Sequence, residues 1–209
     1  MSIRHTSFKH GWFYHYRVHE LKIEHLCGNG FSRLGCFLND MFDSCPDEKF
    51  STRLRSSALK FEMGIKPQQV DDHEVSRLAG RGLEWNNYKT AHSNVQVFML
   101  QNDSATLGVE VPIWMNSDEL ELYSKIFETE EPLSGHIDVL RIEGDKIWIW
   151  DYKPKAHKEK YATTQVYFYA LMLSKRTGLP LNKFMCGYFD ESTAYVFKPE
   201  IKIVKSFAN

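Results

Sequence analysis

The sequence predicts a mixed α/β fold, and three observations carry that expectation. Residues 135–142 and 146–153 are two runs of alternating character, rich in β-branched and aromatic residues, with Gly144-Asp145 between them as a two-residue hairpin turn. Residues 162–176 then run without Gly or Pro and meet a helix stop: Lys175 and Arg176 in the last turn, Gly178 just beyond and Pro180 after it. A further strand-like run, TLGVEVPIW at 106–114, precedes both. Together they give a central sheet whose middle strands are 106–114, 135–142 and 146–153, flanked by helices.

Along the chain, residues 1–66 predict a helical N-terminal region and 70–209 the sheet-based core, all within a single domain. The helical segments expected first are 8–27, ending at Gly28-Asn29-Gly30, then 31–42, then 47–63, stopped before Pro67. Residues 71–92 read as one helix despite Gly80 and Gly82, with Asp71 or Asp72 as its cap. VQVFML at 95–100 reads as a strand, joined to 106–114 across Asn102-Asp103-Ser104. By alternation Glu110 faces opposite to Val109 and Val111 and lines a cleft near Asp138. An acidic connection follows at 117–131, with a short helix capped through Asn116 and Glu119. After the 162–176 helix, a second hairpin around Glu191-Ser192-Thr193 extends the sheet.

Composition narrows the partners. A chain that is 43% hydrophobic and 25% charged is of ordinary globular type, and no apolar run approaches the length of a membrane span. The N-terminus, MSIRHTSFKH, lacks the apolar centre of a signal peptide, so the expected location is cytoplasmic, or the host cytoplasm for a viral chain. A net charge of −1 gives no global attraction to nucleic acid, so any such binding needs a local basic patch. Residues 153–160 supply one, with Lys155, Lys158 and Lys160 following Lys153. Residues 1–66 carry ten Lys/Arg against seven Asp/Glu, interleaved with Trp12, Phe13, Tyr14 and Tyr16, a mixture that suits single-stranded nucleic acid. The five histidines 5, 10, 15, 19 and 25 follow no tight ligand spacing and read as surface or packed residues. Cys27, Cys36, Cys45 and Cys186 fit neither paired zinc ligands nor a disulfide framework, and read as free thiols.

The chemistry concentrates in the 135–153 hairpin. With Gly144-Asp145 as the turn, Asp138 falls opposite Asp151, and Lys153 shares Asp151's face one pleat on. Facing carboxylates repel unless they share a proton or a cation. Two carboxylates beside an ammonium suit a hard cation such as Mg²⁺ and a phosphate substrate. On the helix that follows, Gln165 and Tyr169 are four apart and share a face.

In order and spacing, GxxD at Gly135–Asp138, DxK at Asp151–Lys153 and QxxxY at Gln165–Tyr169 resemble the PD-(D/E)XK nucleases of the RecB-like branch, which includes the CRISPR-adaptation exonucleases. The resemblance, which reaches from Glu84 to Pro199, implies a restriction-endonuclease-like fold and Mg²⁺- or Mn²⁺-dependent hydrolysis of DNA, by an exonuclease or an end- or single-strand-acting enzyme. It implies Asp138, Asp151 and the Tyr152 carbonyl as metal ligands, with Glu84, His92 or Glu110 completing the set. It gives Lys153 the attacking water, and Gln165 and Tyr169 the DNA backbone or the support of Lys153. The chain departs from the adaptation exonucleases in having only Cys186 near its C-terminus, so no iron–sulfur cluster is expected. DNA is the expected partner and a membrane is not; a homo-oligomer stays open. The rival reading is a non-catalytic DNA-binding or assembly subunit that keeps the fold.

Overall fold

A computed structural model describes residues 2–28 and 30–207; Asn29, inside the expected Gly28–Gly30 stop, lies outside them. The chain begins with two strands, β1 (Ile3–His10) and β2 (Trp12–His19), followed by α1 (Glu20–Leu26) and α2 (Ser32–Ser44). Next come β3 (Gln68–Asp71), α3 (Glu74–Trp85), α4 (Ala91–Asn102), β4 (Thr106–Met115) and the short α5 (Tyr123–Phe127). The rest is β5 (Leu133–Glu143), β6 (Lys146–Tyr152), α6 (Ala162–Thr177), β7 (Phe184–Phe189), β8 (Thr193–Phe197) and α7 (Ile201–Phe207). All eight strands form one mixed sheet in the order β1-β2-β4-β5-β6-β7-β8-β3, with β6 and β7 parallel. This is an α/β architecture of the restriction-endonuclease type. Among the described residues no helix is long and apolar enough to cross a membrane.

Two clusters of buried side chains cover the two faces of the sheet. On β6, Ile147 and Ile149 join α6 and α2 residues such as Phe168 and Leu38, while Trp150 and Tyr152 join Val75, Val95 and Met99 of α3 and α4. The middle strands and α6 lie where the sequence puts them, as do the Gly144-Asp145 turn and the β7–β8 hairpin. Gly178 ends α6 in the left-handed conformation that suits glycine, and Asn116 and Glu119 form the expected capping box.

Four expectations are corrected. Of the helix expected at 8–27 only Glu20–Leu26 is helical: Ile3–His19 is a β-hairpin turning at Gly11, whose φ of +83° favours glycine. The signal was a period of two, with Tyr16 and Val18 buried, His15 exposed and Arg17 only partly covered. Residues 47–63 form two single 3₁₀ turns, 47–50 and 56–58, rather than a helix. Tertiary contacts hold this segment against β5: Ser134 N–H donates to the Leu54 carbonyl, and the Arg55 guanidinium donates to the carbonyls of His10 and Phe50. Residues 71–92 split into α3, capped by the His73 ring, and the start of α4; left-handed Asn86 breaks them apart. Residues 95–100 are helical, because α4 is buried nearly all round and a short apolar run cannot distinguish that from a strand. Thr90 caps it, accepting from Ser93 N–H at 3.1 Å.

Candidate active site

Strand register builds the site. β5 and β6 pair Val139 with Trp150, so the next residues down the ladder, Asp138 and Asp151, oppose each other as the two-residue turn requires. On the other side of β5, β4 pairs Val109 with Val139 and Val111 with Ile137, so Glu110 falls opposite Asp138. Glu110, Asp138 and Asp151 therefore stand in a row across three adjacent strands. Glu110 has a φ of +52°, which breaks the alternation of its strand. In consequence Val109 and Val111 do not share a face as simple alternation expects: Val109 packs with α3 and α4, and Val111 with α6.

Each carboxylate is held by its own donors. Tyr152 N–H donates to Asp138 Oδ2 at 2.9 Å, and the Gln96 amide of α4 donates to Glu110 Oε1 at 2.6 Å. The Gln165 amide donates to Asp151 Oδ1 at 2.9 Å, and Lys153 Nζ lies 2.7 Å from Asp151 Oδ2. Gln165 also reaches the Tyr169 hydroxyl at 2.8 Å. The three motifs thus interlock. Gly135 belongs to the same assembly, since a Cβ there would lie 2.5 Å from the Tyr169 ring and 2.9 Å from Ser56 Oγ. All five expected catalytic residues, with Glu110 and His92, line one cavity of about 210 Å³.

The electrostatics are those of crowded, desolvated acids. Burial raises the Asp138 carboxyl well above the usual range, and the charges of Asp151 and Glu110 push it further against the pull of Lys153. Burial also raises Glu110 to about 7, opposed by the Gln96 hydrogen bond and reinforced by Asp151. Burial would lower the Lys153 ammonium, but Asp151 and Asp138 together hold it above its ordinary value. His92 Nε2 lies 4.0 Å from Asp138 Oδ2, and its burial lowers its pKa. Three carboxylates therefore face two full cations, Lys153 paired to Asp151 and the Arg55 guanidinium in the cavity wall. Oxygen donors with a deficit of positive charge fit a hard divalent ion.

Not every expected residue reaches the cavity. Glu84 lies exposed on α3 and does not line it, whereas His92, the alternative, does. Lys155 and Lys158 are exposed on the loop between β6 and α6, and Lys160 pairs with Glu62 at 3.4 Å; none of the three lines the cavity. Among the described residues the one trio of His, Cys, Asp or Glu donors within 4.8 Å of one another is His10, Cys45 and Asp47, outside the carboxylate row. The four cysteines are free, as expected.

Sequence reasoning missed the wall contributed by the N-terminal hairpin. His10 Nε2 lies 3.0 Å from Asp47 Oδ1, and His10 Nδ1 lies 2.9 Å from His136 Nε2. A carboxylate only accepts, so the His10 proton sits on Nε2, and its bare Nδ1 accepts from His136 Nε2–H. Burial lowers the pKa of both rings, in keeping with neutral imidazoles. Tyr14 stacks on His136 with ring centres 3.6 Å apart, and Phe50 stacks on His10 at 3.9 Å. His136 and Tyr14 line the cavity beside Asp138. The only sequence signal for this wall was the period-two pattern of residues 3–19.

The row of acids on β4, β5 and β6, with a lysine two residues past the last acid and a glutamine from the next helix upon it, also has a counterpart among known sequences. Individual curated proteins and solved structures give no match. The sequence model of the PD-(D/E)XK nuclease superfamily, however, matches residues 40–205 and takes in every element from β3 to β8. On that match the chain belongs to the PD-(D/E)XK nuclease superfamily.

Proposed function

We propose that the protein is a metal-dependent deoxyribonuclease that hydrolyses DNA phosphodiester bonds, acting at ends or on single strands. The observation that carries this reading is the row Glu110–Asp138–Asp151, with Lys153 paired to Asp151 and Gln165 bridging Asp151 to Tyr169. Asp138 and Asp151 would hold Mg²⁺ or Mn²⁺, with Glu110 and the Tyr152 carbonyl as further oxygen donors. Such an ion supplies positive charge to the phosphate and acidifies bound water.

The remaining roles belong to the chain's own side chains. Lys153, kept protonated by Asp151 and Asp138, orients the attacking water and stabilises charge that develops on the phosphate. Gln165 fixes the rotamer of Asp151 from the buried side, and Tyr169 fixes Gln165. His92 stands at the mouth beside Asp138, where its imidazole can meet a phosphate oxygen or the ion. Lys155 and Lys158, free of the cavity, offer charge to the flanking DNA backbone, as Lys160 does when it leaves Glu62. A relic that only binds DNA has no chemical need for a half-buried ammonium paired to Asp151, so the intact pair favours the enzyme.

The experiment is incubation of the pure protein with end-labelled linear and circular DNA, single- and double-stranded, in Mg²⁺, Mn²⁺ or EDTA. Cleavage in either metal and none in EDTA is expected. DNA left intact under every metal condition would overturn the reading.

A further inference from the structure

The tip of the N-terminal hairpin presents two consecutive large aromatic rings to solvent, Trp12 at 81% exposure and Phe13 at 68%. Burial is the usual fate of such rings, so this pair calls for an occupant. Strand alternation sends the two rings to opposite sides of the ribbon. The ribbon is firmly placed: His10, just before the turn, is held by Asp47 and His136, and Tyr14, just after it, stacks on His136. Both rings are therefore set at a fixed offset from β5 and its Asp138.

Phe13 also lines a larger cavity of about 620 Å³, together with Arg17, Tyr88 and Lys89. This cavity shares Tyr14, His92 and Glu110 with the carboxylate cavity, so the two lie side by side. Arg17 and Lys89 bring positive charge to it, Glu110 is its one acidic lining residue, and exposed Lys9 pairs across the ribbon from Phe13. Aromatic rings interleaved with cations along a groove suit a single nucleic-acid strand, whose unpaired bases stack while its phosphates track the charge. Paired bases are stacked on their own neighbours and cannot offer both faces. The hairpin itself precedes the residues that match the family, whereas Tyr88 and Lys89 lie within them.

We infer that Trp12 and Phe13 form a base-stacking site for unpaired nucleotides, which leads a single strand or a frayed end past the Arg17–Lys89 cavity towards Asp138. The direction of travel rests on the proposed nuclease function; the binding does not.

The test is fluorescence anisotropy of a labelled oligo(dT) and of a labelled blunt duplex with the full chain in EDTA. Wild type is expected to prefer the oligo(dT). Trp12→Ala/Phe13→Ala is expected to weaken oligo(dT) binding by about tenfold or more and leave duplex binding as it was. Trp12→Phe/Phe13→Tyr, which keeps both rings, restores it. Because both side chains are exposed, an unchanged melting curve verifies the fold of each variant. Unaltered oligo(dT) affinity in the alanine variant, or equal loss on both probes, overturns the site. So does a drop in molecular mass by light scattering, which would mark the tip as a contact between two copies of the chain. Oligo(dT) binding that depends on the rings, alongside no cleavage of any DNA in Mg²⁺ or Mn²⁺, would keep the site and reject the nuclease reading.

Discussion

Asp138 and Asp151 show how a single pair of residues can be costly to the fold and needed by the site. Asp138 sits against the charges of Asp151 and Glu110, offset by Lys153 and by the Tyr152 N–H. Asp138→Ala and Asp151→Ala are each expected to abolish DNA cleavage. In EDTA Asp138→Ala leaves the melting temperature unchanged or raises it, because a repulsion is removed, whereas Asp151→Ala lowers it by stranding Lys153 and Gln165; calorimetry and a cleavage gel check the two halves separately. Glu110 predicts a pH dependence. Its pKa is raised from 4.5 to about 7, so between those values the native protein binds a proton that the unfolded chain does not. Metal-free stability should therefore fall as pH rises from about 5 to about 7, by roughly 2–3 kcal/mol from this group. Glu110→Gln should flatten that slope in thermal melts across pH. With Mn²⁺ in excess the trend should weaken, because the ion binds the deprotonated acids and its stabilisation grows with pH.

At the scale of elements, what the sequence revealed depended on how local the signal was. A two-residue turn fixes hairpin register, so the opposition of Asp138 and Asp151 and the placing of Lys153 could be read directly. The i, i+4 spacing of Gln165 and Tyr169 likewise fixed their shared face. Glu110 was legible as a cleft residue, but its left-handed backbone was not, since no rule of alternation foresees a break. The hairpin at 3–19 was missed because its aromatics and histidines drew attention to composition and hid the period of two. With it went the Asp47–His10–His136 chain, whose members are joined only by the fold. Glu84 matched by sequence position, yet α3 turns it to solvent. Gly135 marks where elements meet, and it yields a prediction at this scale. Gly135→Ala forces a Cβ against Tyr169 and Ser56, which should cost about 1–3 kcal/mol of stability. It should also lower cleavage, because Tyr169 supports Gln165 on Asp151; denaturant unfolding and initial rates would show both.

Across the whole molecule, one sheet carries the acids at its centre while its two edges serve different ends. β7, β8 and β3 extend it from β6, closing the core over α6 and α3. β1 and β2 extend it from β4 and stand over the acids as a wall and an exposed tip. The family match covers the first part and starts after the second. The central claim is that this sheet holds a metal-dependent hydrolytic site and not an inert remnant of one. It is tested most directly by comparing wild type with Lys153→Met on end-labelled single-stranded DNA in Mn²⁺, with Mn²⁺ binding measured by calorimetry on the same samples. Cleavage by wild type, with loss of about a hundredfold or more in Lys153→Met while Mn²⁺ still binds, is the predicted result. Equal cleavage by the two proteins, or wild-type cleavage that persists in EDTA, would contradict it.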